Sequence, residues 1–131
     1  MRLMRAFALV ATLLLLGCAA TAPMQPQVSL PAPYTEHGIS IEVDGLWKDG
    51  YGNVIGVSGL ATNVSGRDLM LCQITLDILD ASGVKVSGAL AATNGLRAGQ
   101  KWRFQATFMN PYAVSFRSIA PGQITIIPVR N

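Results

Sequence analysis

The chain is poor in the residues that most active-site chemistry requires: of its 131 residues one is histidine, two are cysteine and only 13% are charged. With His37 as the only imidazole, no multi-histidine zinc site can form and no second histidine can serve a Ser-His-Asp triad. His37 itself falls in a polar, proline-bearing stretch and reads as a solvated residue. Asp77 and Asp80 are the nearest thing to a carboxylate pair, yet residues three apart on a strand point to opposite faces, and Asp80 opens a turn. Gly56 and Gly59 lie within a strand pattern rather than in a phosphate-binding loop. The formal charge of +3 includes Arg2 and Arg5, and the remaining cations do not gather into the basic stripe that phosphate tracking needs. No apolar run reaches the ~20 residues that cross a bilayer as a helix. These absences argue against an enzyme, a metalloprotein and a nucleic-acid binder, so no catalytic residue, metal or cofactor is expected.

What is present begins at the N-terminus. Arg2 and Arg5 precede an apolar run from Ala6 to Leu16, followed by Gly17, Cys18, Ala19 and Ala20. A basic start, a short apolar stretch and a small-residue processing site describe an export signal. The small residues after Cys18 would also suit ordinary cleavage that releases the rest of the chain. Leu15-Leu16-Gly17-Cys18, however, resembles the lipobox of bacterial lipoproteins. The resemblance implies that residues 1–17 are a signal peptide that is removed and that Cys18 becomes the mature N-terminus, carrying diacylglycerol and a third, amide-linked acyl chain such as palmitate. One acyl chain binds a bilayer only marginally, at about 10⁴ M⁻¹, because each buried CH₂ contributes about 0.8 kcal/mol; further chains make release negligible. Ala19 stands where an aspartate would often signal retention at the inner membrane. The resemblance therefore further implies the outer membrane, with the chain facing the periplasm. Lipidation takes one of the two thiols and leaves no internal disulfide.

Residues 18–36 carry Pro23, Pro26, Pro31 and Pro33 among Ala, Thr and Gln, which reads as a semi-rigid tether. Residues 37–131 suit one small domain. Its period is two. Ile39, Ile41 and Val43 alternate with Ser40, Glu42 and Asp44; Met70, Cys72, Ile74, Leu76 and Ile78 share one face, which makes Cys72 a buried structural thiol. Trp102, Phe104, Ala106 and Phe108 face inward against Lys101, Arg103, Gln105 and Thr107. Further strands are read at 54–62, 84–93, 113–119 and 123–129, and Asp80-Ala81-Ser82-Gly83 has the Asp and Gly of a type I turn. About seven short strands and no helix predict an all-β fold, a single antiparallel immunoglobulin-like β-sandwich following the signal peptide and tether.

Val57-x-Gly59-x-x-x-Asn63-x-Ser65, followed by Leu76-x-Ile78-Leu79-Asp80-x-x-Gly83 and by Leu96, Gly99 and Phe104, resembles the FxLYD domain of bacterial and archaeal surface proteins. Leu76, Ile78 and Leu79 replace that family's Phe, Leu and Tyr, while Asp80 is kept. The likeness runs from Ile55 to Ile119. It implies a β-sandwich that serves as an interaction or spacer module, and it brings no catalytic residues.

Three loop aromatics are the candidate interaction surface. Trp47 and Tyr51 flank a Gly-containing turn, and Tyr112 follows Asn110-Pro111; such residues on a rigid scaffold suit an interface, or else plug the end of the core. With consecutive strands antiparallel, all three collect at one pole, and chain order puts that pole away from the tether. Arg97, Lys101 and Arg103 form a small basic group whose plain reading is a solvated sheet face. Asn63-Val64-Ser65 fits a glycosylation acceptor, with capping of local backbone as the plainer role. The sequence thus predicts a membrane-anchored envelope lipoprotein that acts, without catalysis, as an interaction or assembly module for an envelope protein partner. The alternative is a periplasmic lipoprotein that binds a small ligand, whose sign would be a deep, closed apolar pocket.

Overall fold

The computed structural model, which describes residues 28–110 and 115–130, turns the period-two pattern into seven strands. They are β1 (Tyr34–Glu36), β2 (Ile39–Lys48), β3 (Val54–Asn63), β4 (Leu69–Leu79), β5 (Lys85–Leu96), β6 (Lys101–Phe108) and β7 (Ser118–Pro128), with no helix among the described residues. They form one antiparallel sheet in the order β1-β2-β3-β6-β5-β4-β7. β5 and β6 pair only at Ala89 with Phe108 and Leu90 with Thr107. The sheet therefore folds over at that seam into two layers, β1-β2-β3-β6 and β5-β4-β7, and comes near to closing a barrel. Ile39, Ile41, Val57 and Phe104 of the first layer meet Cys72, Ile74, Leu76 and Ile78 of the second in one core. Each large side chain buried this way contributes roughly 1.5–3 kcal/mol. The all-β sandwich expected from the alternation is what the chain builds.

The domain begins earlier than residue 37. Val28, Leu30 and Tyr34 pack against the core, Ser29 bridges to Ser118 at the start of β7, and β1 pairs with β2 through His37-Gly38. Both of those residues have positive φ, 52° and 76°, the requirement of a type I′ two-residue hairpin. The tether expected over 18–36 thus gives way to folded chain from residue 28. Pro31 and Pro33 lack only N–H groups that an outer segment can spare, and the apolar side chains around them supply the burial. Tyr34 holds β1 down at a cost: its hydroxyl is buried without a partner, and burial, reinforced by Glu36, raises its pKa to about 12.

Two strand boundaries also differ from the expectation. The strands expected at 113–119 and 123–129 meet in the single β7, which begins at Ser118, because Ala120-Pro121-Gly122 forms an irregularity against β4 rather than a turn; residues 113 and 114 lie outside the described residues. There the Thr75 hydroxyl accepts from the Gln123 N–H at 2.7 Å and donates to the Gln123 carbonyl at 3.1 Å, which replaces regular ladder bonds beside a proline that has no N–H. On β4, Met70 is 57% exposed and Leu69 is buried instead. The β4–β7 register shifts between Leu69 and Leu71, so the alternation breaks one step before Cys72.

The strand ends define two poles. One gathers the β2–β3 turn, the β4–β5 turn, Met109 and the Ser29–Ser118 bridge; the other gathers His37-Gly38, the 64–68 and 97–100 connections and Val129.

Candidate functional site

The turns Asp49–Asn53 and Asp80–Val84 sit at the same pole, one in each layer, and are built alike. In each, the aspartate Oδ1 accepts from the N–H groups two and four residues on: Tyr51 at 2.8 Å and Asn53 at 3.0 Å, Ser82 at 2.8 Å and Val84 at 3.0 Å. The Gly52 and Gly83 N–H groups donate to the aspartate carbonyls at 3.2 and 3.1 Å. Both glycines are left-handed, at φ 83° and 80°, which closes a type I turn with a glycine bulge. The N–H donors, Asn53 and Val84 foremost, hold both carboxyls below the ordinary aspartate range. The Asp-x-x-Gly signal that marks the second turn in the sequence also marks the first, where only the glycines drew notice.

The first turn lifts Tyr51 into solvent, with 93% of its surface exposed. It does not plug the core. Trp47 occupies a third kind of position. The register shift between Val43 and Gly45 re-aims the end of β2, as bulges do, so that Leu46 packs on the core and Trp47 lies on the outer face over Gly56. Its indole Nε1–H donates to the Ala106 carbonyl at 3.3 Å, and a Cβ at position 56 would fall 1.8 Å from that nitrogen. Glycine is there to admit the ring. Trp47 is therefore half-buried and fixed, a buttress beneath the exposed turn. Val84 and Met109, 58% and 62% exposed, join Tyr51 at the same pole; apolar residues flanking turns that ask only for polar or small ones were the available signal. Tyr112 and Cys18 lie outside the described residues.

The pole's direction reverses the expectation. Because β1 precedes β2, one more strand separates the chain entry from Trp47, and the parity flips. The Ser29 N–H donates to Arg117 and its carbonyl accepts from Ile119, both at 2.9 Å. The described chain thus enters at the Tyr51 pole and runs through Tyr34, opposite Ile41, toward the other end.

The remaining candidates resolve into structure. Asn63 is fully buried; its Nδ2 donates to Arg67 and Leu96 carbonyls at 2.7 and 3.1 Å, while its Oδ1 accepts from the Ser65 N–H and hydroxyl. That is a capping role, with no side chain left for a glycan. Cys72 is buried, and burial pushes its thiol pKa up. Arg103 pairs with Asp44 at 3.0 Å and Lys85 with Asp77 at 3.1 Å. Thr75, Asp77, Lys85, Met109 and Gln123 line a groove of about 470 Å³ on the outside of the second layer. It is open and polar, unlike a closed apolar pocket. Among the described residues no three His, Cys, Asp or Glu side chains are placed to hold a metal ion.

Comparison with protein-family models, with curated proteins and with solved structures finds no match to this chain.

Proposed function

We propose that the protein is a bacterial envelope lipoprotein, held to the periplasmic side of the outer membrane through lipid on Cys18, that works by contact rather than by catalysis. The lipobox-like Leu15-Leu16-Gly17-Cys18 supports the anchor, and the FxLYD-like residues support the kind of module. The observation that carries the contact reading is Tyr51: a large aromatic, 93% exposed, on a turn closed by Asp49, Gly52 and Asn53 with no use of the tyrosine side chain. A tyrosine in that place contributes nothing to the fold that a small residue would not, and tyrosine is favoured where one face must be apolar and one wet. For the small-ligand alternative, the groove found among the described residues is open and polar, and its Lys85 and Asp77 already pair with each other.

Two measurements test the proposal separately. Metabolic acyl labelling should mark the wild-type chain and not Cys18→Ser; label persisting in the variant would end the anchor reading. A photocrosslinking residue at position 51, in cells, should give a discrete adduct that the same residue at position 97, at the opposite pole, does not. Equal adducts from both positions would end the contact reading.

A further inference from the structure

We infer that the surface met by the Tyr51 pole is the bilayer in which the chain's own anchor sits, so that the domain rests turn-first on its membrane. The inference rests on the proposed lipidation of Cys18. Its first support is where the fold begins. The chain is pinned at Ser29 to the start of β7, at the Tyr51 pole, and the stretch from Cys18 to Val28 spans at most about 35 Å when fully extended. β3 alone is about as long, at ~3.3 Å for each of its residues. The Tyr51 pole is thus the end nearest the anchor, and the Asn63 pole is farther by the length of a strand.

The second support is what that pole presents. Tyr51, Met109 and Val84 come from three separate connections, and each is more than half exposed. The turns carrying Tyr51 and Val84 are closed on themselves by their aspartates, so the apolar residues are held out without ordering cost. Tyrosine is a residue of membrane–water interfaces. The charge at this end indicates which lipids matter: Lys85 pairs with Asp77, and Lys48 and Arg117 are matched in number by Asp49 and Asp80, which leaves no net charge among these side chains to draw anionic headgroups. The contact is apolar and shallow. Such a contact is weak for a free domain, but a short tether converts it to an intramolecular event at millimolar effective concentration.

The natural tryptophans report on the geometry. Trp47 stands beside the Tyr51 turn, while Trp102 is level with Ala61, well toward the other pole. A chain beginning at Cys18 can be joined through that thiol to a maleimide phospholipid, since Cys72 is buried, and placed in phosphatidylcholine vesicles bearing a headgroup spin label. With Trp102→Phe, the remaining Trp47 should be quenched several-fold more than is Trp102 in the Trp47→Phe variant. High salt should leave the difference in place, and combined Tyr51→Ser, Val84→Ser and Met109→Ser should abolish it. Equal quenching of the two tryptophans, or stronger quenching of Trp102, would overturn the inference. A photocrosslinker at position 51 giving a lipid adduct, against none from position 97, reads the same geometry without altering either tryptophan. Because the lipid is attached chemically, failure of acyl labelling in cells sinks the anchor reading alone. A protein adduct at position 51 in cells, with no lipid adduct, would keep the contact reading and sink this one.

Discussion

At the Asn63 pole the connections are tied to one another, whereas at the Tyr51 pole each hairpin turn is tied mainly to itself. Asn63 alone reaches the Arg67, Leu96 and Gln100 carbonyls, accepts from Ser65 and takes the Gly99 N–H on its own carbonyl. Beside it the Val64 N–H donates to Gly38, and Asp68 accepts from Ala98 and Val129. Four segments distant in sequence are thus knotted at one end. At the other end Asp49 serves only residues 51–53 and Asp80 only residues 82–84. The difference separates two duties. Side chains at the knotted pole are committed to the fold, and those at the tips of the self-closed turns are free to meet something else.

The sharpest break in that comparison is Asn63→Ala. It removes the side-chain donor to the Leu96 and Arg67 carbonyls and the acceptor of the Ser65 N–H and hydroxyl, all at a fully buried position, at a cost of about 3 kcal/mol. For a domain of this size that lowers the thermal midpoint by roughly 15 °C, measurable by circular dichroism. A fall no larger than that of Asp80→Ala would mean that the two poles are closed alike. Next in size is Gly56→Ala, which sets a methyl against both the Trp47 indole and the Ala106 carbonyl. We expect a loss of about 2 kcal/mol, in the range of overpacking, with Trp47 emission shifting to the red as the ring is expelled.

The unequal legibility of the poles follows from the same difference. A turn closed by its own residues is written in adjacent letters, so Asp80-Ala81-Ser82-Gly83 was readable, and Asp49-Gly50-Tyr51-Gly52 was equally so. The strands with clean alternation, β6 above all, were readable for the same reason. Asn63 could be seen to end a strand, but its bonds to Leu96 and Gln100 cross more than thirty positions, and nothing local announces them. Trp47 reads as a loop residue, whereas β2 runs on to Lys48 past a register shift after Val43; no sequence period marks such a shift. β1 was hidden by Pro31 and Pro33, which look like tether in composition. Missing that one strand was enough to point the aromatic pole the wrong way.

A smaller effect tests whether the twin turns are twins in energy as well as geometry. Both aspartates titrate below their ordinary value because the folded turn supplies N–H donors to the ionised form. A carboxyl whose folded pKa is lowered stabilises the fold above its unfolded pKa, about 3.9, and that contribution disappears as pH falls through the lower folded value. Melting should therefore become easier below about pH 4, and Asp49→Asn and Asp80→Asn should each remove a similar share of the dependence. The amide signals of Tyr51 and Ser82 should follow the same acid titration. If one turn carries the whole effect, the likeness is only one of shape.

The smallest effect on stability belongs to Tyr51, and it carries the most about function. Tyr51 and Ser82 hold the same place in their turns: the N–H of each donates to the opening aspartate at 2.8 Å. One side chain is a large aromatic and the other a hydroxymethyl, so the turn itself does not choose between them. Tyr51→Ser should accordingly leave the midpoint within about 0.5 kcal/mol of wild type, as for an uncommitted surface site, while lowering vesicle quenching of Trp47. Ser82→Tyr, placed in the Tyr51→Ser chain, returns the aromatic to the same pole through the other layer. Partial return of the quenching would mean that the pole needs an exposed aromatic and is tolerant of its origin, as a fluid bilayer is. Quenching that stays lost would assign the contact to the immediate surroundings of position 51, and a marked fall in the midpoint of Tyr51→Ser would show that the side chain serves the fold after all.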